Sequence, residues 1–522
     1  MEELAQLRGE TLDPLVRLVV VAVEPPSLSD TSSDEERLQR ALRQHLGDGR
    51  ARLSLPALVA LGPALRRGDS HVVVTLAEVD DAPCVVAVAP GDPGGRSLGL
   101  AVDVGTTTVS MELLDLATGE SLGTRVAGNG QRVFGADVTS RLMHAEKPGG
   151  LDALHQAVVT TLNALIDALV DASGAAREEL RAMACAGNTI MTHILLGLDP
   201  TAIRREPYVP VTTVFPTVRA REVGLDLADE AILYALPAVS GYVGGDITAG
   251  LLATGIADQE KLSILIDIGT NGETVLGNRE WLTACSGSAG SAFEGCGLEW
   301  GMSATTGAIE RVWVEEGHIA YATIGGVKPR GICGSGLVEA LGSFLDAGLI
   351  DRSGKLNPQA PGVRRGEYHP EIVLAHAAET AAGKDITLRQ PDIENLIRDK
   401  AALYAGSRIL LANVGLSFDE VDRVLIAGNF GRSLNIEQAV RIGLLPDMPR
   451  ERIRFIGNSS LAGARLALLS HATWRRALEV ATSVLTVELT VEPHYFDEYT
   501  AGLFLPHTDL SLFPSVAGPA GD

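Results

Sequence analysis

The sequence predicts an α/β protein with a duplicated core and a small α/β module in front of it. Three observations point there. An apolar strand running into Asp-x-Gly-Thr occurs twice, at Leu100-Ala101-Val102-Asp103-Val104-Gly105-Thr106-Thr107-Thr108 and at Leu265-Ile266-Asp267-Ile268-Gly269-Thr270-Asn271-Gly272-Glu273. A third apolar strand, Val424-Leu425-Ile426-Ala427, runs into the Gly-rich turn Gly428-Asn429-Phe430-Gly431. The linker Gly91-Asp92-Pro93-Gly94-Gly95 sets residues 15–96 apart as a module of their own.

In each hairpin the apolar run reads as a buried strand, and the glycine lets the backbone turn tightly and approach a ligand without a Cβ in the way. Thr hydroxyls and turn N–H groups can then face phosphate oxygens, and the aspartate can hold Mg²⁺ directly or through water. One such turn is also an ordinary hairpin; two copies fit phosphates held from both sides. The candidate phosphate contacts are Gly105, Thr106, Thr107 and Thr108, with Gly269, Thr270, Asn271, Gly272 and Glu273. Asp103 and Asp267 are the candidate metal ligands and catalytic carboxylates. Gly428, Asn429, Phe430 and Gly431 could border adenosine, because a Gly-rich turn lets a flat ring lie on bare backbone; alone, they also read as a Gly-capped strand-to-helix connection. No Walker or Rossmann glycine motif stands in a strand-helix context.

Composition narrows the function class. A chain of 522 residues with 46% hydrophobic content can bury a large core spread over two to four domains. A formal charge of −23 repels nucleic acid and anionic membrane, so neither is an expected partner. The start Met1-Glu2-Glu3-Leu4 lacks a signal-peptide pattern, and the apolar run Leu15 to Val23 is broken by Arg17 and stopped by Pro25 and Pro26. A cytoplasmic protein is expected. The five cysteines, Cys84, Cys185, Cys285, Cys296 and Cys333, are scattered and form no C-x-x-C, which argues against a disulfide framework, a structural zinc site or a full iron-sulfur cluster in this chain.

Along the chain, Leu18 to Val23 reads as a strand, and Ser32 and Ser33 with Glu35 and Glu36 as the capping-box start of a helix through Leu46. His71 to Leu76 and Cys84 to Ala89 read as a strand pair. Val109 to Leu116 continues the first hairpin, and Gly128 to Val138 reads as a Gly-punctuated loop. Leu151 to Ala172 carries apolar residues at helical period. Asn188 or Thr189 caps a further helix, on which His193 reads as a partly buried histidine rather than a ligand. Pro237 to Ile247 is a Gly-rich turn opening a helix to Gly255, with Asp246 a natural N-cap. Gly334, Ser335 and Gly336 open the helix to Leu345, where free amides favour an anion and tight packing explains the glycines nearly as well. Asp392 to Val414 and Asn435 to Leu444 read as helices, residues 456–463 open a last helix, Val484 to Val491 alternates as a strand, and a frayed tail is expected beyond about His507.

Phosphate hairpin, second phosphate hairpin and adenosine turn, in that order, resemble the actin, sugar kinase and Hsp70 ATPase superfamily, whose core is a duplicated ribonuclease H-like fold. Adding Gly135-Ala136-Asp137-Val138, Gly187-Asn188-Thr189 and Gly331-Ile332-Cys333-Gly334-Ser335-Gly336, nearly the whole chain resembles the ATP-dependent reductive activators of corrinoid proteins. The resemblance implies a middle-type domain at 15–96 after a segment 1–14, and an ATPase domain at 97–507 with halves 97–260 and 261–507 before a tail 508–522. It implies ATP and Mg²⁺ as ligands, a carboxylate such as Asp246 that places the metal or the attacking water, and a homodimer as a plausible assembly. The implied activity couples ATP hydrolysis to reduction of Co(II) to Co(I) in a corrinoid protein or cobalamin-dependent methyltransferase.

Family members usually carry a ferredoxin-type domain, and neither of its cysteine sets is present here. Electrons are then expected from a separate ferredoxin-like protein or flavoprotein, unless the ATPase serves another target or the gene start is truncated. Three other readings stay open. An activator of a 2-hydroxyacyl-CoA dehydratase-type enzyme would use Cys296 and Cys333 as shared cluster ligands, although their small-residue settings look more like packing. A small-molecule kinase would use a base such as Asp246, and a regulatory nucleotide-binding module would bind ATP with negligible turnover.

Overall fold

The computed structural model describes residues 12–46, 49–91, 95–287, 291–295, 297–428 and 434–516. The chain divides into two compact units, residues 2–253 with 460–482, and residues 254–459 with 483–522.

The first unit opens with a four-stranded sheet of β1 (Val16–Ala22), β2 (Arg52–Leu53), β3 (His71–Val79) and β4 (Ala82–Pro90), in the order β1-β3-β4-β2. Asp80 and Asp81 both take positive φ, the two-residue turn whose twist suits an antiparallel hairpin. The helix Asp34–Leu46 starts at the expected capping box, now assigned to one pair: Ser33 N–H donates to Glu36 Oε2 at 3.0 Å, and Glu36 N–H to Ser33 Oγ at 3.2 Å. Its Leu38 and Leu42 are buried against the sheet. A second helix, Leu55–Arg67, was not legible because Gly62 and Pro63 interrupt its pattern; Ser54 caps it, accepting from Ala57 N–H at 3.3 Å.

A six-stranded sheet follows, built from β5 (Leu98–Val104), β6 (Thr108–Asp115), β7 (Ser121–Gly128), β8 (Leu180–Ala186), β9 (Val218–Arg219) and β10 (Ile232–Ala235), in the order β7-β6-β5-β8-β10-β9. β5, β6 and β7 are antiparallel neighbours, whereas β8 runs parallel to β5 and β10 parallel to β8. The helix Gly150–Ser173 is, among the described residues, the one helix long and apolar enough to cross a membrane. Its Leu154, Val158, Leu162 and Ile166 instead lie in the core with β5 and β6, so the apolar stripe is spent on packing.

The second unit repeats the pattern. β11 (Ser263–Ile268), β12 (Gly272–Gly277) and β13 (Leu282–Gly287) are antiparallel. Two small sheets interrupt, β14 (Ala308–Glu315) with β15 (His318–Thr323) and β16 (Gly331–Ile332), then β17 (Val363–Arg365), β18 (Pro370–Ala375) and β19 (Ile386–Arg389). β20 (Arg423–Ala427) then lies parallel to β11, β21 (Ile453–Gly457) parallel to β20, and β22 (Val484–Thr486) closes the order β21-β20-β11-β12-β13-β22. Three antiparallel strands followed by two parallel ones, in both units, are the duplicated ribonuclease H-like core expected from the two hairpins.

The structure refines one reading and corrects two. The loop at Gly128 to Val138 holds a 3₁₀ turn, Gly130–Val133, and Asn129 and Gln131 in it are fully buried. The strand expected over Val484 to Val491 ends at Thr486, because Glu488 turns its side chain onto Thr490, accepting from its N–H at 3.3 Å and its hydroxyl at 2.8 Å, and starts a 3₁₀ turn. The segment after His507 is packed as far as residue 516. Phe513 is completely buried, Asp447 holds Ser515, and the buried Lys400 donates to the carbonyls of Phe504 and Pro506 at 2.6 Å each. Residues 517–522 lie outside the described residues.

Candidate nucleotide site

In the first unit β5 ends at Asp103 and Val104, and Gly105 begins the turn into β6. A Cβ on Gly105 would stand 2.5 Å from the Thr108 carbonyl oxygen, so the turn closes only around glycine. Buried polar groups hold the turn from behind. Asn129 Nδ2 donates to the Gly105 carbonyl at 2.9 Å, and Arg141 Nη2 to the Thr106 carbonyl at 2.5 Å. Asn188 Nδ2 donates to Thr106 Oγ1 at 3.0 Å. Arg141 is fully buried and spreads its fork over Gln131 Oε1 at 2.8 Å and the Gly135 carbonyl at 3.1 Å. Such fixed donors leave the hairpin little freedom. Since Thr106 accepts from Asn188, its own O–H remains a donor.

Asp103 is partly exposed at the strand end, and Ser460 Oγ donates to its Oδ1 at 2.8 Å. Asp246 lies within the first turn of the helix Gly245–Thr254, one residue inside the helix start rather than at the N-cap. Its N–H donates to the Gly187 carbonyl at 3.2 Å and its Oδ1 accepts from Ile247 N–H at 2.8 Å. Burial outweighs that hydrogen bond and, with the negative Asp103 nearby, pushes the Asp246 carboxyl up to about 7. Gly187 and Gly244 permit the approach: a Cβ on Gly187 would sit 2.8 Å from the Val104 carbonyl oxygen, and one on Gly244 would strike the Asn188 backbone.

In the second unit Asp267 faces Glu273 across β11 and β12, with Ile268 opposite Gly272. Gly269 N–H donates to the Asn271 carbonyl at 3.3 Å. Thr270 Oγ1 donates to Glu294 Oε2 at 2.7 Å. Glu273 is buried on β12 and accepts from Ser286 Oγ at 3.3 Å. Gly428, at φ +113°, follows β20; its N–H donates to the Gly457 carbonyl at 3.1 Å, and a Cβ there would strike the Ile268 carbonyl. Gly428 therefore stands beside the second hairpin. Gly334, Ser335 and Gly336 form the buried first turn of the helix Gly334–Asp346, where a Cβ on Gly336 would strike the Ile309 carbonyl, so packing on β14 requires glycine at that one position. Asn429, Phe430, Gly431 and Cys296 lie outside the described residues.

Family models match three successive parts of the chain: the RACo linker region at residues 5–95, the RACo middle region at 98–259, and the C-terminal domain of RACo, the ASKHA domain, at 261–517. A solved structure named a reductive activator for corrinoid, iron-sulfur protein is 43% identical, with a TM-score of 0.92 over 98% of this chain and 82% of its own. The chain belongs to the RACo family. Among curated proteins, the corrinoid activation enzyme RamQ of Eubacterium limosum is 32% identical over 77% of this chain and 69% of its own length. A [Co(II) methylated amine-specific corrinoid protein] reductase of Methanosarcina barkeri is 25% identical, covering 74% and 72%.

The first hairpin and Asp246 fall in the RACo middle-region match, and the second hairpin and Gly428 in the ASKHA match. Sequence reasoning missed the supports Gln131, Arg141, Glu294 and Ser460, and gave Asn129 and Asn188 no contact with the hairpin. The glycines around Gly128 to Gly135 marked the place, but nothing in the chain order says that Arg141, 35 residues on, returns to the Thr106 carbonyl. Cys333 is buried, with Sγ 3.3 Å from the Ile309 carbonyl oxygen. Among the described residues, no group of three or more His, Cys, Asp or Glu side chains assembles a metal site.

Proposed function

We propose that this chain is an ATP-dependent reductive activator. It hydrolyses ATP to ADP and phosphate and couples that step to passing one electron from a separate ferredoxin-like donor to the Co(II) of a corrinoid protein or cobalamin-dependent methyltransferase, giving Co(I). The observation that carries the reading is the 43% identity to a reductive activator across 98% of the chain, with both Asp-x-Gly-Thr hairpins in place. Reduction of Co(II) is uphill from ordinary donors, and ATP supplies the difference by driving a conformational state in which the cobalt's ligation favours reduction. Cytoplasmic residence and a homodimer belong to the same reading, as do a small α/β domain at 15–96 and ATPase halves from 97 and 261.

The residues fit a nucleotide and its metal. Thr106 keeps a hydroxyl donor at a turn without a Cβ, and Asp103 ends its strand partly exposed. Gly105 and Thr106 to Thr108 would hold phosphate from the first hairpin, and Gly269 to Gly272 from the second. Asp103 and Asp267 would hold Mg²⁺, which supplies neutralisation of phosphate charge and polarisation of the bond that breaks. Mg²⁺ is commonly bound by one or two carboxylates with waters and phosphates, so the lack of a larger acidic cluster is no obstacle. Asp246, with its carboxyl poised near neutrality, orients the attacking water and accepts its proton. Thr270 donates its hydroxyl hydrogen to Glu294 behind the hairpin.

The test is phosphate release. Asp103→Asn and Asp267→Asn should each remove most ATPase activity while leaving the circular dichroism spectrum and melting temperature near wild type. A variant hydrolysing ATP at the normal rate would sink that assignment. Phosphate appearing on a metabolite instead of in solution would move the reading to a small-molecule kinase.

A further inference from the structure

The first unit has a cavity of about 640 Å³ where the sheet β1-β3-β4-β2 meets the start of β8 and the segment before β10. The meeting is firmly built: Tyr234, fully buried, donates its hydroxyl to the Glu78 carbonyl at 2.8 Å, and Arg96 N–H donates to Glu179 Oε1 at 2.8 Å. One wall is apolar, from Leu18, Val73 and Ala87. The opposite wall carries Arg181, and Glu178, Asp229 and Glu230 stand around it.

Arg181 makes no hydrogen bond or ion pair among the described residues, and its buried Nε has no acceptor. Its neighbour Arg177 is already satisfied by Asp167 and Asp226. An orphaned guanidinium N–H calls for a partner, since buried polar groups are almost always bonded. The backbone gives a second, independent sign. Leu98 pairs with Leu180 and Gly99 with Ala182, so Arg181 is the extra residue of a bulge in the β5–β8 ladder. Bulges re-aim side chains and cluster beside binding sites. Burial also lowers the Arg181 pKa, outweighing the opposing pull of Glu230 and Glu179.

The charges select the ligand. A polyanion would meet three carboxylates, and a plain cation would meet an unpaired guanidinium. A ligand carrying both signs and an apolar body answers every wall: its carboxylate to Arg181, its ammonium to the acidic side, its hydrocarbon on Val73 and Ala87. We propose that this cavity is a binding site for a zwitterionic small molecule of the α-amino-acid class, separate from the nucleotide site. Its volume lies within the range of small-molecule pockets.

The test is isothermal titration calorimetry on the full chain at neutral pH with three probes of similar size: L-leucine, 4-methylpentanoate, which lacks the ammonium, and isoamylamine, which lacks the carboxylate. Leucine should bind saturably, and each single-charge analogue at least tenfold more weakly. Arg181→Met, which keeps the length and removes the charge, should abolish leucine binding while ATP hydrolysis stays at the wild-type rate. Ala87→Trp, which fills the cavity and keeps Arg181, should abolish it too. No saturable heat with leucine, binding of an analogue as tight as leucine, or wild-type leucine affinity in the Arg181→Met protein would overturn the proposal. ATP hydrolysis is read separately, so failure here leaves the reading of the nucleotide site as it stands.

Discussion

The side-chain amide of Asn188 joins two jobs: Nδ2 donates to Thr106 Oγ1 at 3.0 Å, and Oδ1 caps the helix Thr189–Leu195 by accepting from Met191 N–H at 2.9 Å. One residue thus starts a helix and sets the rotamer of a hairpin threonine.

The two jobs can be separated. Asn188→Ala loses both and should cost about 1 kcal/mol of stability through the cap, with KM for ATP raised about tenfold for the lost hydrogen bond that orients the threonine hydroxyl. Asn188→Asp keeps the cap acceptor but has no donor, so its melting temperature should stay near wild type while KM rises. Thermal melts beside steady-state phosphate release check this; equal KM in all three proteins would count against the role of Thr106.

Arg141 reaches the Thr106 carbonyl from the other side, and a lysine cannot reproduce a fork that also serves Gln131 and Gly135. Arg141→Lys should lower kcat/KM for ATP by about 10- to 100-fold, the scale expected when a positioned group shifts by around an ångström. Unchanged kinetics in a folded variant would show that the hairpin holds its shape without the clamp.

Much of this was legible in the sequence. The hairpins carry their own signal, because an apolar strand, an aspartate and a glycine turn are local features. The duplicated strand order follows from the same repeat. The supports were illegible for the opposite reason: Asn188 returns to Thr106 over 82 residues, Arg141 over 35 and Ser460 to Asp103 over 357, and no local pattern encodes such closures. Helix Leu55–Arg67 was hidden by Pro63, and the packed segment to residue 516 by its lack of periodicity, although Phe513 and Lys400 settle it in the fold.

Gly428 takes φ +113° with the Ile268 carbonyl where a Cβ would go. Gly428→Ala should therefore destabilise the chain by about 1–3 kcal/mol through backbone strain and weaken ATP binding by displacing the second hairpin. Denaturant melts and nucleotide titration read the two effects; an alanine variant matching wild type in both would mean that the turn relaxes freely.

His193 should make stability fall in acid. It is fully buried, its Nδ1 lies 2.7 Å from the Thr189 carbonyl oxygen, and its Nε2 has no partner among the described residues, so Nδ1 carries the proton in the neutral ring. Burial lowers its pKa from the ordinary 6.5. Between the two values the unfolded chain holds the extra proton, so stability is full above about pH 6.5 and is lost as pH drops toward the folded value. His193→Gln should flatten the melting temperature between about pH 7.5 and pH 5.5. An equally steep acid loss in that variant would assign the effect to other groups.

The central claim is that this ATPase drives cobalt reduction with electrons from outside the chain. The most direct measurement mixes the purified protein anaerobically with a Co(II) corrinoid protein, a low-potential reductant and Mg·ATP, and follows the visible spectrum. Co(I) should form with ATP, and not when ATP is withheld or when Asp103→Asn replaces the wild type. Competent ATP hydrolysis with no Co(I) from several corrinoid partners would contradict the account and point to a different ATP-driven target.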